Sequence, residues 1–220
     1  MERRISAVYN NLEFIHKTKM MIYKYNMGND RNVNYLKPKQ FTAIRESLQG
    51  DLMVTLPTGF GKSLIYHLLP YATDNKTSAV IIVSPLNSII EEQAAMLKAS
   101  FVVNEGWQSK SDSFRRGVKN GSIKYIFGHP EVLVSHEFKN CIVGLYISHV
   151  FVDEAHCVLK WGKSQFRPCY MQLASLKCFL NGPTFVAMTA TATFDDQVEI
   201  KHVLNMNGNR HVHASPNRYC

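Results

Sequence analysis

Long apolar runs are missing from this chain. No stretch approaches the roughly 18–20 apolar residues that cross a bilayer as a helix, so a helical membrane span is excluded. The N-terminus, MERRISAVYNNLEFIHK, has no apolar core because Glu2, Asn10, Asn11 and Glu13 interrupt it. It therefore reads as no secretory signal, and those acids argue against a mitochondrial presequence. Cysteine is scarce: the five residues at 141, 157, 169, 178 and 220 are odd in number and form no CxxC pair. That excludes a disulfide framework, gives no zinc spacing, and points to reduced intracellular thiols. Without a secretory signal, the Asn75-Lys76-Thr77 sequon reads as chance. Internal repeats and low-complexity linkers are lacking, and the nine histidines show no metal-ligand spacing. Acidic residues number 17 against 25 basic ones, a net charge of +8. Such a balance attracts polyanions but says nothing about fold, and a basic protein with no nucleic-acid role could carry it equally.

What is present is enough for a sizeable core. A chain of 220 residues, 45% hydrophobic, fits one large domain, or one with a small appendage. In residues 1–34, Ile5, Tyr9, Leu12 and Ile15 can share a helical face, and Gly28-Asn29-Asp30 gives the first punctuation. This part is predicted to be an N-terminal helical appendage. From Leu36 onward, apolar β-branched runs alternate with helical patterns. Strands are predicted at 51–56, 79–84, 123–128, 146–152 and 184–189, with short ones near 101–103 and 211–213. Helices are predicted at 39–49, 62–72, 87–99, 110–119, 166–180 and 194–204. Near-continuous apolar strands such as AVIIVS, separated by helices, indicate an α/β fold. The expected form is a doubly wound parallel sheet with helices on both faces, spanning 35–218.

Two places in that pattern carry chemistry. After strand 51–56 comes Pro57-Thr58-Gly59-Phe60-Gly61-Lys62-Ser63, then an apolar helix. Glycines allow backbone N–H groups to turn onto phosphate oxygens, and the helix N-terminus adds partial positive charge. Thr58, Gly59, Phe60, Gly61, Lys62 and Ser63 are thus candidate nucleotide-binding residues. Lys62 would reach the β- and γ-phosphates, and the Ser63 hydroxyl would ligate Mg2+. The general pattern GxxxxGK[ST] wants glycine at position 56, where this chain has Leu56. The second place is Asp153-Glu154, directly after the apolar run Val150-Phe151-Val152. Asp153 suits a metal at the end of a parallel strand, and Glu154 suits orienting an attacking water. Behind it come Trp161, Phe166 and Tyr170, interleaved with Lys160, Lys163 and Arg167, a pattern that suits unpaired bases on a phosphate backbone. Tyr170 could equally be core, because Met171, Leu173 and Leu176 continue an apolar helical pattern. Thr189 and Thr191 could pack at a strand end or link to the acidic pair.

Taken in order, these pieces resemble the first RecA-like lobe of a RecQ-type superfamily 2 DNA helicase. Pro57–Ser63 resembles the first motif in its PTGxGKS form, and Asp153-Glu154-Ala155-His156 is the DEAH form of the second. Leu36-Lys37-Pro38-Lys39-Gln40 resembles the adenine-reading motif, with Gln40 and Lys37 at the base. Ser84-Pro85-Leu86-Asn87-Ser88 and Glu92-Gln93 resemble motif Ia, His129-Pro130-Glu131 motif Ib, and Met188–Ala192 motif III. His156-Cys157, Trp161-Gly162, Phe166-Arg167-Pro168 and Tyr170 resemble the RecQ aromatic-rich loop, and Ser215–Arg218 the segment leaving the lobe. The resemblance implies ATP and Mg2+ as cofactors. It assigns catalysis to Lys62, Asp153 and Glu154, and DNA contact or coupling to His156, Trp161, Phe166, Arg167, Thr189 and Thr191. It implies a single-stranded or forked DNA partner, 3′-to-5′ translocation, a role in repair or recombination, and a nuclear location if the protein is eukaryotic.

The sequence departs from that pattern at three points. Lys37 stands in place of arginine, a point charge for a planar stacking group. His129 replaces a threonine hydroxyl. Lys163-Ser164-Gln165 places three residues between Gly162 and Phe166 where the family has two ending in Asp, which is expected to shift Phe166 and blunt coupling. The chain reaches Cys220 just where a second lobe should begin, so the expectation is a motor lobe that needs that second lobe. The alternative is a truncated, non-enzymatic ATP- and DNA-binding module.

Overall fold

The structure, a computed structural model, describes residues 2–72, 75–162 and 166–214, with side chains from Leu12 onward. The Lys163–Gln165 insertion, the Ser215–Arg218 segment, Cys220 and the side chains of Ile5 and Tyr9 lie outside the described residues.

Seven strands form one sheet among the described residues: β1 (Leu52–Thr55), β2 (Ala79–Val83), β3 (Ser100–Val103), β4 (Tyr125–Gly128), β5 (Ile147–Val152), β6 (Thr184–Thr189) and β7 (His211–His213). Their order is β3-β4-β2-β5-β6-β1-β7, and every neighbouring pair is parallel. Parallel strands need crossovers, and the helices supply them on both faces. On one face lie α1 (Glu2–Asn29), α2 (Pro38–Ser47), α3 (Ser63–Leu68) and α4 (Asn87–Ala95). On the other lie α5 (Ser111–Asn120), α6 (Pro130–Leu133), α7 (His136–Ile142), α8 (Cys157–Lys160), α9 (Leu176–Phe179) and α10 (Phe194–Val203).

The five inner strands are buried on both sides, the edge strands β3 and β7 less so, and successive residues still alternate between two cores. Val80 and Ile82 face Ile65, Leu68 and Ile90, whereas Ala79, Ile81 and Val83 face Phe114, Phe138 and Val158. Each fully buried Val, Ile or Leu contributes about 1.5–3 kcal/mol, and the one buried histidine in these strands, His149 of β5, bonds Ser47 O.

Several predicted helices are shorter or differently wound. Residues 62–72 form α3 and then a 3-10 turn, Leu69–Tyr71. Pro70 has no N–H for the i→i−4 ladder, so the helix tightens there. Predicted helix 87–99 stops at Ala95 because the next amides and carbonyls are used elsewhere: Lys98 N donates to Asn29 Oδ1, and Ala99 O accepts from Lys124 and Tyr125. Residues 166–180 are a 3-10 helix, Pro168–Ser175, followed by α9. Helices α6, α7 and α8 have no counterpart in the sequence pattern, being only 4, 7 and 4 residues long.

Helix α1 packs onto this body. Met21 and Tyr25 are buried in the same core as α2 and α3, at 0% and 3% exposure. Asp30, at φ 51°, ends the helix, and Asn26 turns the chain back by exchanging two hydrogen bonds with Val33.

Candidate functional site

The carboxyl ends of β1, β6 and β5 lie side by side, which brings the phosphate-type loop, Thr189–Thr191 and Asp153–His156 together. Backbone bonds carry the strand registry past the strand ends. Leu56 N donates to Thr189 O (3.1 Å) and Ala155 N to Met188 O (2.8 Å). Leu56, where the general pattern has glycine, is fully buried and simply extends β1, so no left-handed residue is needed there.

The loop between β1 and α3 turns at Gly59 and Gly61, with φ of 75° and 80°. Gly61 is doubly constrained, because a Cβ there would meet Gln40 Nε2 at 2.7 Å. Gln40 is buried and does not project toward a free space. Its Nε2 donates to Phe60 O (3.1 Å) and Gly61 O (2.9 Å), and its Oε1 accepts from Lys37 N at 2.8 Å. It braces the loop from behind. The Lys37 ammonium sits 4.7 Å from the Phe60 ring centroid, a cation–π contact. Lys62 Nζ donates to Leu56 O at 3.1 Å. Among the described residues, the amides of Gly59, Gly61 and Lys62 donate to no backbone carbonyl.

Across β6, Glu154 has a left-handed backbone (φ 46°), a conformation that costs a non-glycine residue about 1 kcal/mol or more and recurs at working sites. Its N–H donates to Asp153 Oδ1 at 3.0 Å. Burial, and next the Glu154 charge, push the Asp153 carboxyl up to about 6, against the pull of Lys62. His156 Nδ1 lies 3.3 Å from Glu154 Oε2 and 3.2 Å from Thr189 Oγ1. The Thr189 hydroxyl donates to Thr191 O (3.0 Å) and accepts from Thr191 N (3.2 Å). The Thr189 proton is thus committed to Thr191, which makes His156 Nδ1 the donor toward both oxygens. Burial holds the His156 pKa below its ordinary value, against the pull of the Glu154 charge.

These residues fit a magnesium nucleotide: two left-handed glycines, uncommitted loop amides, a lysine on a single displaceable carbonyl, and a carboxylate facing it. Among the described residues, no group of three or more His, Cys, Asp or Glu could hold a metal alone. Magnesium is commonly held by one or two protein oxygens plus phosphate, and Asp153 and Ser63 are the residues that would supply them.

At the ends of β2 and β4 the side chains interlock. Arg167 makes a bidentate pair with Glu131 (Nε–Oε1 2.6 Å, Nη2–Oε2 3.0 Å), and its Nη1 donates to Pro85 O at 2.8 Å. His129 Nδ1 lies 3.0 Å from Ser84 O and its Nε2 2.5 Å from Asn87 Oδ1. Arg167 therefore joins three separate segments and has little of its guanidinium free. Trp161 caps α8 and packs edge-on against Phe166 and Tyr170, with the Arg167 guanidinium 5.7 Å from its ring centroid. Phe166 is 71% exposed. Tyr170 is fully buried core, which resolves the alternative left open by its spacing.

The role of Glu131 as the partner of Arg167 has no signal in the sequence, because the two lie in different crossovers. The same holds for Gln93, which accepts from Tyr66 Oη (3.1 Å) and contacts His67 Nε2 (3.0 Å).

The description of this body as a RecA-like helicase lobe agrees with known proteins. The family model for DEAD/DEAH box helicases matches residues 37–200. This chain belongs to that family. Among curated relatives, the ATP-dependent helicase SGS1 of Saccharomyces cerevisiae is 34% identical over 77% of this chain and 12% of its own length. The ATP-dependent DNA helicase RecQ of Haemophilus influenzae is 31% identical over 76% of this chain and 27% of its own length. Its relatives are thus RecQ-type, and the chain spans well under two thirds of their length. A DNA-bound structure of the DUF1998 helicase MrfA superposes with a TM-score of 0.67 at 15% identity, covering 87% of this chain and 29% of that one, which speaks to fold alone.

Proposed function

We propose that this chain is the ATP-binding motor lobe of a RecQ-like helicase, acting on single-stranded or forked DNA with 3′-to-5′ polarity when joined to a second lobe. The observation that carries the reading is the convergence of Lys62, Asp153–His156 and Thr189 at three adjacent strand ends. Magnesium and the nucleotide phosphates would be held by Ser63, Asp153, Lys62 and the loop amides, and the metal would supply charge neutralisation. Lys62 exchanges the Leu56 carbonyl for phosphate oxygens, a swap of one hydrogen bond for a stronger charge-assisted one. Glu154 orients water, and His156 ties it to Thr189, so a shift of the β6 end is felt at the carboxylate. Phe166 offers a ring for base stacking, and Arg167 ties that ring's segment to Pro85 and Glu131. Gln40 serves the nucleotide by fixing the loop and Lys37.

The test is binding of a fluorescent non-hydrolysable ATP analogue with magnesium, followed by single-strand-stimulated ATP hydrolysis once a second lobe is supplied. Lys62→Ala is expected to weaken binding about 100-fold and to abolish the stimulated hydrolysis. Binding with no stimulated turnover in the two-lobe protein would leave a non-enzymatic binding module instead.

A further inference from the structure

Behind the phosphate-type loop, a largely buried polar chain that the site described above does not use connects three helices. Tyr25 of α1, His67 of α3 and Gln93 of α4 lie in line. Tyr25 Oη is 3.3 Å from His67 Nδ1, and His67 Nε2 is 3.0 Å from Gln93 Oε1. The same Gln93 oxygen accepts the Tyr66 hydroxyl at 3.1 Å. Tyr25 and His67 are each 3% exposed and Tyr66 1%, so no water competes for these groups.

The chemistry assigns the protons. An amide oxygen only accepts, so His67 carries its proton on Nε2, and Nδ1 must then accept from the Tyr25 hydroxyl. Tyr25 also stacks on the imidazole, with centroids 5.8 Å apart and planes 19° from parallel. Tyr125 donates to His67 O at 2.5 Å, which fixes the α3 backbone at the same point. Helix α1 is held a second time, one turn on: Asn29 accepts from Lys98 N at 3.0 Å and donates to Tyr71 Oη at 3.3 Å. Helix α3 begins at Ser63, directly after Lys62, and α4 begins at Asn87, the partner of His129. A buried network with every member satisfied is stiff, and removing one member leaves another unpaired in a low-dielectric setting.

We propose that Tyr25, His67 and Gln93 are positioning residues for the nucleotide site, by which helix α1 sets the placement of α3, and so of Lys62 and Ser63, against α4. The proposal rests on the ATP-binding reading. Helix α1 is then a working part of the lobe, and a chain lacking it would bind nucleotide poorly.

The experiment uses the full chain and a fluorescent non-hydrolysable ATP analogue with magnesium. Tyr25→Phe and Gln93→Leu are each expected to weaken binding about 3- to 10-fold, the span of one net hydrogen bond. Tyr23→Phe, the same change at a tyrosine on the exposed side of α1, leaves it unchanged. The double variant Tyr25→Phe/Gln93→Leu binds no more weakly than Gln93→Leu, because both act through one chain. A purely structural role would not move the second readout: in wild type the ¹⁵N shifts of His67 report an Nε2–H ring and move when the analogue is added. In Gln93→Leu they do not respond. Unchanged affinity in both variants, additive losses, or a His67 ring indifferent to nucleotide overturns the proposal. Binding that Lys62→Ala weakens strongly but Tyr25→Phe and Gln93→Leu leave intact sinks only this inference; no binding by wild type sinks the ATP-binding reading as well.

Discussion

At the ends of β1, β6 and β5, Lys62 holds one carbonyl and His156 hangs between Glu154 and Thr189 at 3.2–3.3 Å. At the ends of β2 and β4, Arg167 is gripped by a carboxylate and a carbonyl at once, and His129 by Ser84 and Asn87. In the first neighbourhood the cation, Lys62, makes one contact; in the second the cation, Arg167, makes three interlocked ones. Both sit on one edge of one sheet. The difference teaches that one half is built to trade partners with an incoming group, while the other is built to keep three loops in register and present an exposed ring, Phe166. A positive charge marks both halves, but only its partners tell which task it has.

The sharpest way to break that contrast is Lys62→Ala. It is expected to lower nucleotide affinity about 100-fold, near the upper end for a charge-assisted contact of about 3 kcal/mol. It should leave the thermal midpoint nearly unchanged, because Lys62 gives up only the Leu56 carbonyl. A large loss of stability would show that Lys62 belongs to the locked class.

Acid should test the frame beneath both neighbourhoods. Burial lowers His67 and His149 to about 4 from 6.5. Their folded-state pKa values lie below the unfolded one, so between about 6.5 and 4 the unfolded chain binds protons that the folded chain refuses. Stability therefore falls as pH drops through that window. From pH 7 to 5.5 the two together should remove about 2 kcal/mol, read as a lower urea midpoint. His149→Leu should roughly halve that dependence. A urea midpoint that is flat from pH 7 to 5.5 would refute the assignment.

Phe166→Ala is expected to weaken single-stranded DNA binding about 10-fold, within the ~1–3 kcal/mol of one stacked base, with no change in thermal midpoint. Arg167→Ala should do the reverse in proportion. Its partly exposed pair with Glu131 is screened, so a loss of about 1 kcal/mol in stability is expected, accompanied by weaker DNA binding as the loop loses its register. Equal DNA losses with stability untouched in both variants would mean that Arg167 is a free phosphate contact.

Much of this was legible in the residues. AVIIVS read as a doubly buried strand and is one, and Gly59–Ser63 read as a turn between a strand and a helix and is one. At the β6 end the sequence left Thr189 open between strand-end packing and a link to the acidic pair, and the strand register brings its hydroxyl to His156. Helices α6 to α8 were not legible, because fewer than two turns leave no period to recognise. Neither was the task of Gln40. Its side chain could serve a base edge or a backbone, and only the structure shows Nε2 donating to Phe60 O at 3.1 Å and Gly61 O at 2.9 Å. The contacts of helix α1 were not legible either, because Tyr25 and Asn29 hydrogen-bond where a simple amphipathic helix would bury leucine.

By itself, then, the sequence determined the α/β architecture, the positions of the strands and the chemistry available at their ends. Period-2 and near-continuous burial follow from side-chain polarity alone, and a glycine-rich turn follows from backbone sterics. The tertiary structure decided which charge meets which partner. Arg167 and Glu131, or Tyr25, His67 and Gln93, lie in different crossovers, and no local rule of spacing brings them together. Only the order in which the strands stack sets those distances, and a hydrogen bond exists or fails within a few tenths of an ångström.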